Sequence, residues 1–392
     1  MKNKIRKFVS NIAPSVIAIF GGLIFGLIVL LITNPGEAFS GFITILGGGI
    51  NYGVENIGLI LTYATPIILT GLSVGFAFKT GLFNIGAAGQ FTVGAFTAVY
   101  IGVKWTFLPF GVHCLVAILF ACLAGAIWGF VPGFLKAIAN VNEVISSILM
   151  NYIGMHTVNM LIKSMGVYDS LRNQSLPVAE TANLPKMGLD KLFPNADINS
   201  GIIIALIFVV LIYIVINKTT FGYELKACGM NRNASKYAGI NEKRSIILSM
   251  VIAGGLAGIG GSLFYLSGTG RYLQVLDIIA QQGFDGISVA LLGASNPIGI
   301  FFAGIFIALI TNGGLYLQLY GFVPEVIQMI IASIIYFGAF SLLVRELIVR
   351  SKKKREKRKE EEAAKAALAD GAGAGDSGPG ADGKGDNKEV TK

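Results

Sequence analysis

Long apolar runs alternate with short polar segments along most of the chain. A helix needs about 20 apolar residues to cross the hydrocarbon core of a bilayer. Ten runs predict membrane-spanning helices, so the predicted fold class is all-α. Pro132 is expected to end the fourth helix, because proline interrupts helical hydrogen bonding. The runs cover residues 12–33, 57–78, 86–103, 111–131, 144–163, 201–216, 246–266, 283–294, 297–316 and 323–344.

Two of these runs, 86–103 and 283–294, leave an alternative open. Each is expected either to cross the membrane or to form a re-entrant or broken helix, which is tolerated where it lines a cavity or is buried in protein. Segments 81–100 and 283–302 share an order of Gly, apolar residue, Asn or Asp, and a Gly/Ala-rich run. This similarity suggests an inverted repeat, but close packing alone also makes glycine-rich membrane helices look alike.

Basic residues indicate the orientation of the chain in the membrane. Segment 217–244 carries six Lys or Arg residues against two Glu residues. An excess of Lys and Arg in a short loop places that loop in the cytoplasm. Ten crossings put both termini on the same side. Segment 36–55 has two acids and no Lys or Arg, and it is expected to be an outside loop.

Three parts of the chain differ in composition. Residues 1–11 form an expected cytoplasmic N-terminal tail, and residues 12–345 form the transmembrane domain. Residues 346–392 begin with a basic run and continue into a Gly-, Ala- and Asp-rich segment. That segment has almost nothing apolar to bury, so it is predicted to be a charged, mostly disordered cytoplasmic tail.

A short helical pattern lies inside the basic segment 217–244. Met230, Ala234, Tyr237 and Ala238 have helical spacing, which places them on one face. Asn231 or Asn233 is suited to cap the helix, and Gly239 is suited to end it. Two interpretations are open at this point. The helix either docks a soluble partner or is one turn within a solvated loop.

Composition agrees with a polytopic helical membrane protein. The chain has 392 residues, of which 54% are hydrophobic and 14% charged, whereas about a quarter of a soluble domain is charged. The mean hydropathy is +0.69. The net charge of +9 does not indicate nucleic-acid binding, because Lys and Arg cluster at the ends of the apolar runs, where they set topology.

The motifs of several enzyme classes are missing from the sequence. It contains no G-x-x-x-x-G-K-[ST] loop, no H-E-x-x-H and no G-x-S-x-G. Its three cysteines lack metal-ligand spacing. The chain is therefore expected to have no catalytic residue, no bound metal and no cofactor of its own.

Charged residues within the predicted spans are few. Ion-coupled transporters need titratable groups at membrane depth, so their scarcity favours a pathway for a neutral polar solute. Amide, hydroxyl and carboxylate groups at the span entrances offer hydrogen bonds to such a solute. The alternative is that the amides tie helices together. The candidate substrate-pathway residues are Asn84, Gln90, Asn142, Asn151, Tyr152, Asp285 and Ser288.

Four segments resemble motifs of ABC importer permeases. GYELKACGMNRNASKYAGI resembles the cytoplasmic coupling loop of the class that handles simple sugars, nucleosides and branched-chain amino acids. GLFNIGAAGQ, NEVISSILMNYI and DGISVALLGASNPIGIF resemble three further motifs of the simple-sugar and nucleoside branch. The resemblance covers about residues 57–344, with the motifs in the expected order.

This resemblance implies an assembly and a role for the basic segment. The assembly contains a second permease subunit, a cytoplasmic ABC ATPase that binds ATP and Mg, and an external solute-binding lipoprotein of the basic-membrane-protein type. The implied location is the plasma membrane of a bacterium. Loop 163–200 is a candidate contact for the lipoprotein. By analogy, 230–239 is the coupling helix, with the ATPase-coupling residues Met230, Asn231, Arg232, Ala234, Ser235, Tyr237, Ala238 and Gly239.

The expected function is that of a permease for nucleosides, purine or pyrimidine. A simple-sugar permease for ribose or galactose is the alternative within the same class. A secondary transporter or channel that works without ATP is the alternative from another class. A membrane-embedded enzyme ranks last, because no catalytic constellation is present.

Overall fold

The computed structural model describes residues 2–339 and 350–351, and residues 2–339 belong to one compact unit. The tail beyond 351 lies outside the described residues. The α-helices of the described region are α1 (Lys2–Thr33), α2 (Ala38–Leu46), α3 (Glu55–Lys79), α4 (Ala87–Lys104), α5 (Val112–Ala139), α6 (Glu143–Ser164), α7 (Leu189–Leu192), α8 (Gly201–Lys218), α9 (Thr220–Met230), α10 (Arg232–Tyr237), α11 (Glu242–Tyr265), α12 (Gln281–Leu292), α13 (Pro297–Leu315) and α14 (Pro324–Ala339).

Regular non-α structure is short within the described residues. Strands β1 (Tyr168–Asp169) and β2 (Gln174–Ser175) pair antiparallel in the segment between α6 and α8. Short 3₁₀ helices cover Ile50–Tyr52, Glu180–Ala182 and Tyr316–Tyr320. The part of the chain that the structure describes is therefore mostly helical with almost no strand, which confirms the predicted class at this level.

Each of the ten predicted runs corresponds to one helix. Five stretches in the described region are long and apolar enough to cross a membrane: α3, α5, α8, α11 and Pro297–Tyr320. Shorter apolar helices cover Ile19–Thr33 and Glu325–Ile334. Length and composition thus indicate a membrane protein.

Side chains at several helix starts explain where those helices begin. The side-chain oxygens of Asn142, Thr219, Asn231, Asn241 and Asn296 each accept a bond from a backbone N–H two or three residues later. Such caps satisfy amides that have no partner inside the helix. They define α6, α9, α10, α11 and α13.

One expectation about these boundaries is wrong. Pro132 does not end its helix, because α5 continues to Ala139 with Pro132 inside it. Membrane helices tolerate proline where neighbouring helices compensate for the missing bond, and Pro132 is buried. Segment 36–55 contains helix α2, whose Phe, Ile and Leu residues make it apolar, and its place on the outside stays a prediction.

Two helices form the centre of the bundle. The most apolar stretches of α3 and α11 are each 78% buried, against 33% for α5 and 28% for α8. Glycines allow α11 to approach its neighbours closely. A Cβ atom added at Gly254 would collide with the carbonyl oxygen of Gly125 on α5. A Cβ atom added at Gly261 would collide with the carbonyl oxygen of Phe91 on α4.

The outer face of α5 is apolar and exposed. Leu115, Leu119, Leu123 and Ile127 recur every four residues and are 49–67% exposed. Residues at this spacing form one stripe along a helix. A continuous apolar stripe is unfavourable in water and suits contact with lipid tails.

We predict that Gly254→Ala destabilises the bundle by about 1–3 kcal/mol, because the added methyl group overpacks the contact with the backbone of α5. The measurement is thermal unfolding followed with a thiol-reactive dye. The free cysteines Cys114 and Cys228 are buried and become reactive on unfolding. The matched control is Gly255→Ala, whose Cβ atom would lie 3.1 Å from the movable Sγ atom of Cys122. Equal midpoints for the two variants would contradict the prediction.

Candidate functional site

A cavity of about 500 Å³ lies among α3, α11 and α12. Its walls combine aromatic rings, amide side chains and one charged group of each sign. The segment 266–280, which connects α11 to α12, contributes Arg271 and its neighbours. The lining residues are Tyr63, Pro66, Ile67, Gln174, Phe264, Tyr265, Gly270, Arg271, Tyr272, Gln274, Gln282, Asp285 and Thr311.

Arg271 is held in this cavity by aromatic rings. Its guanidinium carbon lies 4.0 Å from the ring centre of Phe264 and 5.1 Å from that of Tyr63. Cation–π contacts of this kind are attractive and fix the plane of the guanidinium group. Burial lowers the pKa of Arg271, yet an arginine side chain stays protonated in proteins. The cavity therefore contains a permanent positive charge.

Asp285 supplies the negative charge of the cavity. It lies in the first turns of α12, and its Oδ1 atom accepts a hydrogen bond of 3.1 Å from Nε2 of Gln281. The salt bridges formed among the described residues do not include Asp285. The carboxylate thus retains hydrogen-bond acceptor capacity, because an ionised carboxylate has about four lone-pair sites.

A second cavity of about 330 Å³ lies beside the first. It reaches α4 and α6 through Phe91, Thr92 and Met155. The two cavities share four lining residues, which are Tyr265, Tyr272, Gln274 and Gln282. Residues 270–274 therefore form part of a common wall between them.

Asp285 is the one predicted pathway residue that lines the first cavity. Asn84 and Gln90 are buried against each other instead. Asn84 Nδ2 donates to Gln90 Oε1 at 2.8 Å, and it also lies 3.1 Å from the hydroxyl of Ser73 on α3. Asn151 joins α6 to α4 by accepting from the N–H of Gly89 at 2.8 Å. These amides connect elements of the bundle.

The other predicted pathway residues are dispersed. Asn142 caps α6 by accepting from the N–H of Val144. Ser288 donates to the carbonyl oxygen of Phe284 within α12 at 3.3 Å. Tyr152 is 49% exposed on α6. A pathway role for the amide and hydroxyl residues stays a prediction.

Most residues of the cavity wall were missed by sequence reasoning. Tyr63, Phe264 and Tyr272 are aromatic residues of the kind that also fill helix interfaces, so their type gives no signal. Arg271 gave the one usable signal, since it is the only Lys or Arg between 245 and 344. A lone charge between two apolar segments indicates either a functional group or a loop exposed to water.

The basic segment forms two helices rather than one. Met230 is the last residue of α9, and α10 begins at Arg232. The expectation that Met230 lies in the same helix as Ala234 is therefore wrong. The reason is the extended backbone of Asn231, with φ −158° and ψ 107°, which caps α10 through the N–H of Ala234.

The surface of α10 presents apolar groups to the surroundings. Tyr237 is 94% exposed and Met230 is 87% exposed, and Ala234 and Ala238 are also exposed. On the opposite side, the buried Ser235 donates to the carbonyl oxygen of Arg232 at 2.7 Å.

The remaining coupling residues frame this exposed surface. Arg232 is half-buried, and Asn231 supplies the cap of α10. Gly239 follows the helix with φ 80°, a conformation that favours glycine. One side of α10 thus packs onto the protein, and the other is free to be covered.

The cavity is lined by the first half and middle of α3, and the basic segment lies beside the last turn of this helix. Tyr63 is near the first end of this helix, and a Cβ atom at Gly58 would meet Ala196 of the segment between α6 and α8. At the other end, a Cβ atom at Gly81 would lie 3.3 Å from Gly229 of α9. A helix of 25 residues is about 37 Å long. The cavity extends along α3 as far as Ile67, so about 18 Å of helix, from Ile67 to Lys79, separates the two regions.

Helix α11 also reaches both regions. Phe264 and Tyr265 at its end line the cavity. Near its start, the hydroxyl of Ser249 accepts a bond of 2.7 Å from Thr80, which follows α3. A hydrogen bond therefore connects α11 to the end of α3 near the basic segment. Farther along, both helices contribute residues to the cavity wall.

Comparisons with known proteins identify the family. Residues 56–340 match the family described as branched-chain amino acid transport system / permease component. The guanosine ABC transporter permease protein NupP of Bacillus subtilis is 38% identical over 86% of this chain and 96% of its own length. The nucleoside ABC transporter permease protein NupB of Lactococcus lactis is 35% identical over 90% of this chain and 96% of its own length.

A third relative is named as a sugar permease. The glucose ABC transporter permease protein TsgB13 of Haloferax volcanii is 31% identical over 70% of this chain and 73% of its own length. No solved structure matches the chain significantly. With most of its length aligned to these relatives, the chain belongs to the branched-chain amino acid transport system / permease component family of ABC transporter permeases.

Proposed function

We propose that the chain is the membrane-spanning subunit of an ATP-driven importer and that its solute is a nucleoside. The observation that carries the proposal is the aromatic and amide-lined cavity beside Arg271 and Asp285 in a chain of this permease family. Two relatives aligned over 96% of their own length are named as guanosine and nucleoside permeases.

The chemistry of the cavity suits a nucleoside. Its volume of about 500 Å³ falls in the range of small-molecule sites, about 300–1,000 Å³. Aromatic side chains such as Tyr63 and Tyr272 offer faces on which a base can stack. The amides of Gln174, Gln274 and Gln282 offer both donors and acceptors to ribose hydroxyls and base edges.

The proposed power source is a separate ATPase that docks on the basic segment. Helix α10 exposes an apolar side with Ala234 and Tyr237. In the proposed assembly, this side fits into a cleft of an ABC ATPase. ATP and Mg bind to that ATPase. A displacement of α10 would move α9. Gly229 of α9 packs on the end of α3, so α3 would be displaced in turn. Rigid-body movement of packed helices would then change access to the cavity.

The proposed topology has ten crossings with both termini in the cytoplasm of a bacterium, whose plasma membrane holds the complex. Residues 12–345 are the proposed permease domain, and 217–244 its coupling loop. A second permease subunit completes the pathway. An external solute-binding lipoprotein docks on the side of segment 163–200, which is the side of the cavity.

A simple sugar is the second candidate solute. The relative named as a glucose permease, which is 31% identical to this chain, favours it, and aromatic and amide groups also bind sugars. A sugar, however, has no base to stack between rings or to meet Arg271 and Asp285. We therefore place nucleosides first.

We predict that vesicles containing the complete assembly take up labelled nucleoside only when ATP is supplied. Unlabelled purine or pyrimidine nucleosides should compete, whereas ribose and galactose should not. The control omits the ATPase subunit. Competition by the sugars alone would favour the second candidate. Uptake that persists without the ATPase and stops when the ion gradient is collapsed would establish a secondary transporter instead.

We predict that Ala234→Asp prevents the ATPase from binding, because it buries an unpaired charge in the proposed contact. The unfolding midpoint of the membrane bundle should stay unchanged, since Ala234 is exposed. Co-purification of the ATPase and ATP-dependent uptake are the measurements. The matched control, Ala234→Ser, adds a small neutral group and should retain both. Wild-type uptake by the Asp variant would refute the docking role.

A further inference from the structure

One cation and one anion line the first cavity without forming an ion pair with each other. Arg271 and Asp285 both line it, although neither forms a salt bridge among the described residues. Charges at partly buried positions are unfavourable unless a partner satisfies them. A solute that presents acceptors to one group and donors to the other would satisfy both. This inference rests on the proposed nucleoside function.

Arg271 is arranged to recognise two adjacent acceptors. The rings of Phe264 and Tyr63 lie 4.0 Å and 5.1 Å from its guanidinium carbon. These contacts engage the face of the group, and its N–H donors point outward from the edge in the plane of the fork. An arginine fork binds the N7 and O6 acceptors of guanine with two hydrogen bonds. Adenine presents the N7 acceptor beside an N6 amine donor, so one of these bonds is lost.

Asp285 has the chemistry to bind two adjacent donors. An ionised carboxylate only accepts hydrogen bonds. Gln281 donates to Oδ1, which leaves acceptor sites on both oxygens. The other edge of guanine presents N1–H beside the 2-amino group, two donors side by side. Adenine has an acceptor at N1, and uracil has one N–H between two carbonyl oxygens.

We propose that Arg271 and Asp285 make this permease selective for guanine nucleosides. Arg271 donates to N7 and O6 of the base, and Asp285 accepts from N1–H and the 2-amino group. Guanine carries an acceptor–acceptor edge next to a donor–donor edge, which is the arrangement that a cation and an anion in one cavity recognise. Tyr63 and Tyr272 provide faces against which the base stacks.

Altered nucleosides test the proposal without changing the protein. The purified full-length chain is placed in lipid nanodiscs, and bound radiolabelled guanosine is displaced by unlabelled compounds. Inosine lacks the 2-amino group, and 7-deazaguanosine lacks the N7 acceptor. Each should bind at least about tenfold more weakly than guanosine, because each loses a hydrogen bond to a charged group. Adenosine should bind about a hundredfold more weakly or worse, since it mismatches both groups. Equal affinities would overturn the proposal.

Two variants test which residue binds which edge of guanine. Asp285→Asn should erase the preference for guanosine over inosine while retaining the preference over 7-deazaguanosine. Arg271→Lys keeps the charge but loses the fork, and it should erase the preference over 7-deazaguanosine while retaining that over inosine. The matched control is Asp190→Asn on α7, where the carboxylate is exposed and away from the cavity. It should leave both ratios unchanged.

The outcomes separate this inference from the function on which it rests. A variant that weakens all nucleosides equally reveals only a structural role and overturns the assignment of that residue. Nucleoside import by the complete assembly together with flat binding ratios overturns the inference and leaves the proposed function standing. Failure of the assembly to import any nucleoside overturns both.

Discussion

Contact between the backbones of α5 and α11 determines the arrangement of the rest of the bundle. In a membrane, burying apolar side chains gives little drive for helix association, so close packing of small residues takes its place. Gly125 and Gly129 on α5 face Gly254 on α11 at distances that leave no room for a Cβ atom. Because α11 extends from the basic segment to the cavity, this interface supports both regions.

The buried pair α3 and α11 gives the protein two ends that are mechanically connected. Near the basic segment, Thr80 and Ser249 join the helices through their hydroxyls, and Gly229 of α9 packs directly on the turn after α3. At the far end, both helices supply aromatic side chains to the cavity. The basic segment is therefore connected to the cavity wall through α3 and α11.

The sequence was informative about helices and poor at locating the cavity. Apolar runs have a length set by the bilayer, so each predicted run matched a helix, and Asn231 gave a recognisable cap. Pro132 misled because tertiary contacts compensate for its missing donor. The cavity is assembled from residues far apart in the chain, such as Tyr63, Arg271 and Asp285, with no motif of their own. Composition also does not tell whether an amide such as Asn84 points into a cavity or binds a neighbouring helix.

Residues 270–274, which form part of the common wall between the two cavities, affect whether the cavities are connected. Two residues of this strip, Tyr272 and Gln274, line both cavities. Gly268 and Gly270 have φ values of 75° and 67°, so the strip turns through two glycines, whose backbone swivels with little steric resistance. If the strip moves aside, the part of the common wall that Tyr272 and Gln274 form opens between the two cavities, while Tyr265 on α11 and Gln282 on α12 keep their places.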